Sequence, residues 1–591
     1  MKQLIDRIEQ AVETAFETAG YDAALGKVTV SNRPDLCEYQ SNGALSGAKQ
    51  YHKAPFLIAQ EVAEALGKSE TAGMFSAIDV VKPGFLNLSV SPECLQGYLQ
   101  EMAADSRLMV PAAEHPRKII IDYGGANVAK PLHVGHLRSA VIGESLKRML
   151  RFVGHEVIGD VHLGDWGLQM GLIITELRRR QPDLVYFDEN YSGEYPKEAP
   201  FTISELEEIY PCASGKSKED PAYKEEAMLA TKKLQDGDPG YRALWEHILA
   251  VSIEDLKKNY GNLQVEFDLW KKESDAQPYI PDMVAYLKEN GYAHPDQGAL
   301  VVDVKEETDT KEIPPCMILK SDGSSLYNTT DLATLVMRRE LYDPDEVIYV
   351  VDKRQELYFT QVFRAARKTK IVKPDTLLEF LGFGTMNGKD GKPFKTREGG
   401  VMRLEKLIAE IGEEMYRKIM DNHEADPEEA RSTSTLVALS ALKYGDLSNQ
   451  ASKDYIFDIE KFTSFEGNTG PYILYTIVRI KSILARYQQQ SAMPDRSKIG
   501  LCRTGSEKDL QLSLARFGSS LSQAVAELAP HKLCAYIYDL ANVFNRFYHE
   551  TKILSEPDET RREALIALID LTRAVLEQSI ELLGFSAPER M

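Results

Sequence analysis

The chain reads Lys118-Ile119-Ile120-Ile121-Asp122-Tyr123-Gly124-Gly125-Ala126-Asn127, and His133-Val134-Gly135-His136 follows shortly afterwards. The apolar run before Asp122 is typical of a buried strand in a parallel sheet. The paired glycines indicate a turn, and a helical pattern then extends from about Gly135 to Phe152. Strand, turn and helix in this order open a βαβ unit, so the sequence predicts an α/β domain with a parallel sheet.

The second half of this α/β domain lies far along the chain. Strand-like runs appear at 347–351 and 377–383, with a helical stretch at 359–368 between them. Strands that alternate with helices indicate parallel pairing through helical crossovers. We therefore expect one Rossmann-like sheet that is split by an insertion at about 181–310.

The remaining chain predicts further domains, because single cores stop growing near about 300 residues and this chain has 591. Its beginning mixes helical and strand-like runs, whereas the part beyond about Leu404 is almost entirely helical. The predicted segments are an α+β domain at 1–112, the α/β domain at 113–403, a connecting helical segment at 404–440 and an all-α domain at 441–591.

Charge is distributed unevenly. The net charge of −20 by itself disfavours a polyanionic partner. Residues 181–310, however, contain 13 basic and 28 acidic residues, while residues 441–591 contain 18 basic and 19 acidic residues. The excess belongs mainly to the predicted insertion, so the last domain can still carry a basic face that binds nucleic acid.

Composition also bears on compartment and metal content. Neither a run of about 18 apolar residues, which a membrane helix needs, nor the apolar core of a signal peptide is found. We therefore expect a cytoplasmic protein with no membrane partner. The six cysteines are spread along the chain without a close pair, so no structural zinc is expected.

The two histidines of the motif suit phosphate binding. His133 and His136 are three residues apart, so they share one face at the start of the predicted helix, where free N–H groups and the helix dipole favour anions. Gly135 between them allows a nucleotide to approach the backbone closely. The alternative is a pair of histidines that only caps the helix.

A cationic loop follows the strand-like run at 377–383. Glycines flank three lysines and an arginine, Lys389, Lys392, Lys395 and Arg397. Such a loop can close on a triphosphate and stabilise the charge that develops in a transition state. A solvated basic loop is the alternative.

Together these segments resemble the class I aminoacyl-tRNA synthetases, and within them the arginyl-tRNA synthetase family. The HIGH motif of the class matches 133–136, its mobile lysine loop corresponds to 392–397, and the extended signature of the family matches 122–139, with Ala126 where members commonly carry proline. The resemblance implies catalytic roles for His133, His136 and Lys395. The ATP contacts that it implies are Lys130, His133, Gly135, His136, Lys392, Lys395 and Arg397.

Two further segments favour arginine as the amino acid. Tyr327 and Asp331 are four residues apart and share a face if the helix has begun; a carboxylate there matches a guanidinium in bidentate fashion. The alternative for Asp331 is an acidic residue that stabilises a helix start. Gln355 follows a strand, where open α/β sheets bind ligands. By resemblance, the arginine pocket consists of Asp122, Asn127, Tyr327, Asp331 and Gln355.

The two ends of the chain resemble the tRNA-binding domains of this family. Residues 32–44 are similar to its N-terminal domain, and 441–444 and 466–472 to its helical anticodon-binding domain. Aromatic residues among basic ones can stack on unpaired bases, although packing in the core is the alternative for each. The predicted tRNA contacts are Tyr39, Asn42, Tyr472 and Arg479.

The predicted activity is the ATP-dependent attachment of L-arginine to tRNA(Arg) through an arginyl-adenylate, with ATP supplied as its Mg²⁺ complex, no protein-held metal, and activation that requires bound tRNA. The resemblance also implies a monomer. One alternative is another nucleotidyltransferase with a histidine-x-glycine-histidine motif, but those enzymes lack a large helical C-terminal domain. The other is a non-catalytic RNA-binding paralogue, which is expected to lose the motif residues that this chain keeps.

Overall fold

The computed structural model of the protein describes residues 2–392, 402–422, 426–489 and 493–591. The predicted loop residues Lys395 and Arg397 lie outside this part of the chain. Two compact units are present. The terminal unit consists of Met1–Ala113, Ser464–Glu581 and Ser586–Met591, and the central unit consists of Glu114–Thr463 and Leu582–Phe585. The predicted domain limits near 112, 403 and 440 stay predictions.

The first part of the chain folds into a four-stranded antiparallel sheet with helices, as the mixed pattern of its sequence predicts. The strand order is β1-β2-β4-β3. The elements are α1 (Leu4–Thr18), β1 (Val28–Val30), β2 (Tyr39–Ser41), α2 (Gly43–Gly47), α3 (Pro55–Gly67), β3 (Phe75–Val81), β4 (Phe85–Val90) and α4 (Pro92–Ala104).

The central unit begins with the predicted βαβ unit. Ile119, Ile120 and Ile121 are fully buried, as expected for a strand with helices on both faces. Gly143 allows the following helix to pack on this strand, because a Cβ atom there would lie 2.2 Å from the ring of Tyr123. The elements are β5 (Lys118–Asp122), α5 (Val134–Phe152), β6 (Glu156–Asp160) and α6 (Leu168–Arg180).

The predicted insertion is mostly helical. Its segment from Leu269 to Lys272 returns to the edge of the main sheet, where single β-bridges join Asp160 to Leu269 and, just beyond β6, Leu163 to Lys272. The elements are α7 (Ile203–Glu219), α8 (Pro221–Asp236), α9 (Pro239–Asn262), α10 (Glu273–Ala276), α11 (Ile280–Glu289) and the antiparallel strands β7 (His294–Asp296), β8 (Ala299–Val302) and β9 (Cys316–Leu319).

The second half of the Rossmann-like sheet follows the insertion, and the predicted split parallel sheet is confirmed. The order is β11-β10-β5-β6, with all neighbours parallel. From β5 the chain continues to one edge of the sheet, at β6, and from β10 it continues to the opposite edge, at β11. Open α/β sheets bind ligands at such a point, between the carboxyl ends of the two central strands. The elements are α12 (Tyr327–Tyr342), β10 (Glu346–Asp352), α13 (Glu356–Lys368), β11 (Leu377–Phe383) and β12 (Met386–Asn387).

The remaining chain is helical, as predicted, apart from one short strand that pairs in parallel with β12. The elements are α14 (Leu404–Asn422), α15 (Pro427–Leu447), β13 (Tyr455–Ile456), α16 (Ile459–Phe462), α17 (Gly470–Gln488), α18 (Gly505–Ala515), α19 (Phe517–Ala526), α20 (Pro530–Glu550) and α21 (Glu559–Leu582). Among the residues that the structure describes, no helix is both long and apolar enough to span a membrane.

Candidate active site

The histidine pair lies at the amino end of α5, as predicted. His133 precedes the helix, and its Nδ1 accepts a hydrogen bond of 3.0 Å from the N–H of Gly135. The N–H of His133 donates in turn to Nδ1 of His136 at 3.2 Å. The ring centres are 4.0 Å apart, so the backbone fixes both rings side by side at the helix start.

These bonds also determine where each imidazole carries its proton. Burial and the nearby charge of Lys130 lower the pKa of His133, and burial lowers the pKa of His136 to about 3. Both rings are therefore neutral near pH 7. Because Nδ1 accepts in each ring, the proton of a neutral ring resides on Nε2. Each histidine can thus donate one neutral hydrogen bond to a phosphate oxygen.

Lys130 and the chain beyond the predicted lysine loop complete this part of the site. The ammonium of Lys130 lies 4.7 Å from the ring centre of Tyr210 on α7. The N–H of Val134 donates to the carbonyl of Met402 at 3.1 Å, and the N–H of Leu404 donates to the carbonyl of Leu132 at 2.9 Å. The chain that leaves the loop is therefore held against the histidine motif.

Asp122, at the end of β5, is engaged within the protein. Its carboxylate accepts a hydrogen bond of 2.6 Å from the buried guanidinium of Arg338, which also donates to Asp160 at 2.8 Å. Asp122, Asp160 and His162 are the one group with the spacing of metal ligands among the described residues. The guanidinium of Arg338 bonds both carboxylates and so takes the position that a cation would occupy between them, and the group therefore does not fit Mg²⁺.

Asp331 lies in the first turns of α12, four residues after Tyr327, so the two share a face as predicted. The hydroxyl of Tyr358 donates a short hydrogen bond to Asp331. Burial raises the pKa of Asp331 despite this bond. Tyr327 is 70% exposed, so it stands open to a ligand next to a partly desolvated carboxyl group.

Sequence reasoning missed Glu273, at the start of α10. α10 packs against α12, the helix that carries Asp331, so Glu273 is a second carboxyl group on this side of the site. Burial, with the charges of Asp165 and Asp331, raises the pKa of Glu273 to about 7. The β-bridge between Leu163 and Lys272 brings it there from the predicted insertion. No local pattern distinguishes this residue from the other acidic residues of that segment.

The other predicted pocket residues have mixed surroundings. Asn127 is joined to Gly164 by a β-bridge, and its amide oxygen fills the space where a Cβ of Gly164 would stand. Gln355 is exposed and immediately precedes α13, the helix that carries Tyr358. Lys392 is exposed, and its carbonyl accepts a hydrogen bond of 2.8 Å from the N–H of Gly388.

The predicted tRNA contacts near the amino end differ in exposure. Tyr39 is only 1% exposed, and the guanidinium of Arg516 lies 6.0 Å from its ring centre. The Tyr39 side chain therefore belongs to the core of the terminal unit, which argues against stacking on a base. Asn42 is exposed before α2, and its side chain makes no capping bond.

Tyr472 and Arg479 lie on one side of α17, facing α20. Arg479 donates to Asn545 at 2.6 Å, and its guanidinium lies 4.7 Å from the ring centre of Tyr475. The Tyr472 hydroxyl donates to Asn542 at 2.7 Å. In the described part of the chain, no carboxylate forms an ion pair with Arg479. We call these five residues the aromatic-cationic face.

Comparison with known proteins agrees with this arrangement. Residues 98–459 match the family described as "tRNA synthetases class I (R), catalytic domain", 473–591 match "DALR anticodon binding domain", and 2–90 match "Arginyl tRNA synthetase N terminal domain". The fold of the chain, with its split parallel sheet and its histidine pair before α5, is thus that of a class I aminoacyl-tRNA synthetase.

Similar proteins show to which amino-acid family within this class the chain belongs. The chain is 62% identical to an arginine–tRNA ligase of Agathobacter rectalis and 59% identical to one of Alkaliphilus oremlandii, over the whole of both chains in each case. Identity to a Francisella tularensis arginine–tRNA ligase is 44% over 99% of each chain. The chain belongs to the arginyl-tRNA synthetase family, and the predicted class, family and kind of enzyme are confirmed.

Solved structures show the same fold at lower identity. Arginyl-tRNA synthetase from Plasmodium falciparum is similar with a TM-score of 0.82, and the Thermus thermophilus enzyme with a TM-score of 0.79. Each is 24% identical and covers 100% of both chains. The predicted multidomain α/β architecture, with an N-terminal α+β part and an all-α C-terminal part, is confirmed.

Proposed function

We propose that this chain attaches L-arginine to the 3′ end of tRNA(Arg) in an ATP-dependent reaction that passes through arginyl-adenylate. The observation that carries the proposal is the pair of partly desolvated carboxyl groups, Asp331 and Glu273, on the same α/β domain as the neutral histidine pair. The carboxyl pair suits a guanidinium, and the histidine pair suits phosphate.

Arginine is held by hydrogen bonds to its charged ends. Asp331 and Glu273 accept from the guanidinium, whose planar donor fork matches carboxylates. Tyr358 orients Asp331 through its hydroxyl. Asp122, through the carboxylate oxygen that Arg338 does not bond, is assigned to the α-amino group. Asn127 and Gln355 are assigned to the α-amino and carboxylate ends, and Tyr327 covers the substrate. Such a pocket rejects analogues without the guanidinium, because its own polar groups would be left unpaired.

The first chemical step needs positioning more than a base. The carboxylate oxygen of arginine attacks the α-phosphorus of ATP, and the bond from that phosphorus to the bridging oxygen breaks, so pyrophosphate leaves. Neutral Nε2–H groups of His133 and His136 donate to the phosphate oxygens as negative charge shifts. Lys130 and Lys392, with Lys395 and Arg397 by resemblance, balance the charge of the triphosphate.

In the second step, the terminal ribose hydroxyl of tRNA attacks the carbonyl carbon of the adenylate, and AMP leaves. By resemblance this hydroxyl is the 2′-OH, and activation requires bound tRNA. Mg²⁺ enters with ATP, since Mg²⁺ is commonly held by substrate phosphates. No step passes through a protein-held metal.

Binding of tRNA is assigned to the terminal unit. The aromatic-cationic face offers stacking surfaces and an arginine that lacks an ion pair within the described chain, which suits unpaired bases and their phosphates. Exposed Asn42, whose side chain makes no capping bond to α2, offers its amide near the other end of the chain. We further propose that the enzyme is cytoplasmic and monomeric.

The test is exchange of labelled pyrophosphate into ATP, run with each amino acid, with and without tRNA. We expect arginine to be the one amino acid that supports exchange, and we expect this exchange only when tRNA(Arg) is present. A chain that exchanges with another amino acid, or that fails with arginine and tRNA together, would contradict the proposal.

A further inference from the structure

We propose that the buried ion pair between Arg138 and Asp446 is a positioning pair for adenylation, which fixes the turn that carries Lys392 relative to His133 and His136. The inference rests on the proposed function and adds two buried residues to which no substrate contact is assigned.

Arg138 stands on α5, two residues after His136. It is 1% exposed, and its Nε donates to Asp446 of α15 at 2.9 Å. One guanidinium nitrogen, Nη1, donates to the carbonyls of Gly384 at 2.8 Å and Lys453 at 2.9 Å. A single planar group therefore joins the histidine helix to three other segments.

Gly384 and Lys453 begin the two segments that pair as β12 and β13. The N–H of Tyr455 donates to the carbonyl of Thr385 at 3.1 Å, and the N–H of Phe457 donates to that of Asn387 at 2.8 Å. The chain then enters the turn from Gly388 to Lys392. Arg138 thus holds both segments at the point where the β12–β13 ladder starts.

The exit from the predicted lysine loop is held in a different way. Backbone bonds join Met402 and Leu404 to Val134 and Leu132. The chain before the loop leaves the parallel sheet at Phe383, and beyond that point Arg138 is the α5 side chain that bonds it, through the carbonyl of Gly384. Loss of the guanidinium would remove one restraint on the turn of Lys392, where Lys389 still pairs with Asp458 at 3.2 Å, and would leave the exit and the arginine pocket in place.

Because the ion pair between Arg138 and Asp446 is buried, we infer that it orients the groups around it and adds little to the stability of the fold. The side chains of Arg138 and Asp446 are 2% and 0% exposed, and desolvation of such a pair offsets much or all of its attraction, so apolar residues would often stabilise the fold as well. What the guanidinium of Arg138 provides is a fixed direction for its hydrogen bonds to Asp446, Gly384 and Lys453. Lysine cannot reproduce it, because it lacks the planar fork.

The experiment compares Arg138→Lys and Asp446→Asn with wild type in tRNA-dependent pyrophosphate exchange. We expect the KM for ATP to rise or kcat to fall by about tenfold or more, since small misplacements at a reacting centre have large effects on rate. The KM for arginine should stay within about twofold, because the partners of Arg138 among the described residues are Asp446, Gly384, Lys453 and Tyr455, none of which belongs to the Asp331 pocket.

A matched control lies in the terminal unit. Arg561 and Glu507 form a pair of similar burial, 8% and 3% exposed, far from these segments in sequence. Arg561→Lys should lower the melting temperature comparably without changing the KM for ATP. If Arg138→Lys changes activity only in proportion to the folded fraction, as Arg561→Lys does, the proposal is overturned.

A double-mutant cycle separates positioning from general damage. With Lys392→Ala already present, Arg138→Lys should cause little further loss, since both act on the same contact. Additive losses would mean that Arg138 does not act through the turn of Lys392. Should Arg138→Lys fail to fold, the same cycle with Asp446→Asn gives the answer. An inactive wild-type chain would count against the proposed function, and not against this pair.

Discussion

The Glu273 carboxyl group titrates near neutral pH in the free site, with a pKa of about 7. A bound guanidinium favours the carboxylate, so arginine binding is linked to loss of this proton. The apparent affinity therefore rises with pH below about 7 and levels off above it. We expect the KM for arginine to fall by about tenfold in total as pH increases from 6 to 8, with most of the change between pH 6 and 7.

Steady-state kinetics with arginine varied at several pH values measure this linkage. Glu273→Gln should weaken arginine binding and flatten its pH dependence, while the KM for ATP provides the internal control. A KM for arginine that does not vary with pH in wild type would show that Glu273 does not contact the substrate.

Asp331 offers a second test of the arginine pocket. Asp331→Ala should raise the KM for arginine by about a hundredfold or more, because loss of a bond to a charged group leaves the guanidinium partly unpaired. The KM for ATP should change far less. Tyr358→Phe, which removes only the hydrogen bond to Asp331, should have a smaller effect in the same direction. Equal effects of Asp331→Ala on both substrates would identify Asp331 as a helix-start residue.

Sequence and structure agree best where the function depends on local spacing. The histidines three apart and the Tyr327–Asp331 pair are fixed by helix geometry, so their placement could be predicted. Glu273 could not, because its position depends on a β-bridge formed across more than a hundred residues of chain. Tyr39 has the composition of a contact residue, but the packing around Arg516 buries it.

Among the elements, the packing between α5 and β5 fixes the histidine motif. A Cβ at residue 143 would lie 2.2 Å from the ring of Tyr123, so Gly143→Ala should destabilise the protein by about 1–3 kcal/mol through overpacking. A Cβ added to Gly412, inside α14, would meet no atom within 4 Å beyond its own helix. Gly412→Ala should therefore be neutral or stabilising by up to about 1 kcal/mol.

Thermal unfolding of both variants provides the measurement. A Gly143→Ala variant as stable as wild type would mean that the helix can shift away from Tyr123 at no cost. Its activity would then report whether the histidine pair moved with it.

Elements with strong periodicity could be predicted nearly to the residue. The expected helix from about Gly135 to Phe152 is α5, and the apolar run at 118–123 is β5. The return of the insertion to the edge of the sheet at Leu269 and Lys272 could not be predicted, since it involves single bridges without a strand pattern. That unpredicted return brings Glu273 into the site.

Over the whole molecule, net charge is a poor guide to where tRNA binds. The chain carries −20, yet Arg479 on the aromatic-cationic face lacks an ion pair among the described residues. If it contacts a tRNA phosphate, Arg479→Gln should raise the KM for tRNA and reduce the slope of log KM against log salt by about 1.

Aminoacylation at several salt concentrations measures that slope. Arg573→Gln is the control, since Arg573 is already paired with Asp570 and Glu577 at 2.8 Å each. An Arg479→Gln slope equal to that of wild type would place the tRNA elsewhere on the terminal unit.

The most direct test incubates the enzyme with tRNA, ATP and all amino acids and then determines the mass of the tRNA. The result shows whether the carboxyl pair, Asp331 and Glu273, and the histidine pair, His133 and His136, serve one reaction on arginine and tRNA. We expect a single product, tRNA(Arg) with arginine esterified at its terminal ribose, with AMP and pyrophosphate formed in equal amounts. Uncharged tRNA(Arg), or tRNA that carries another amino acid, would mean that the two pairs do not act together on arginine.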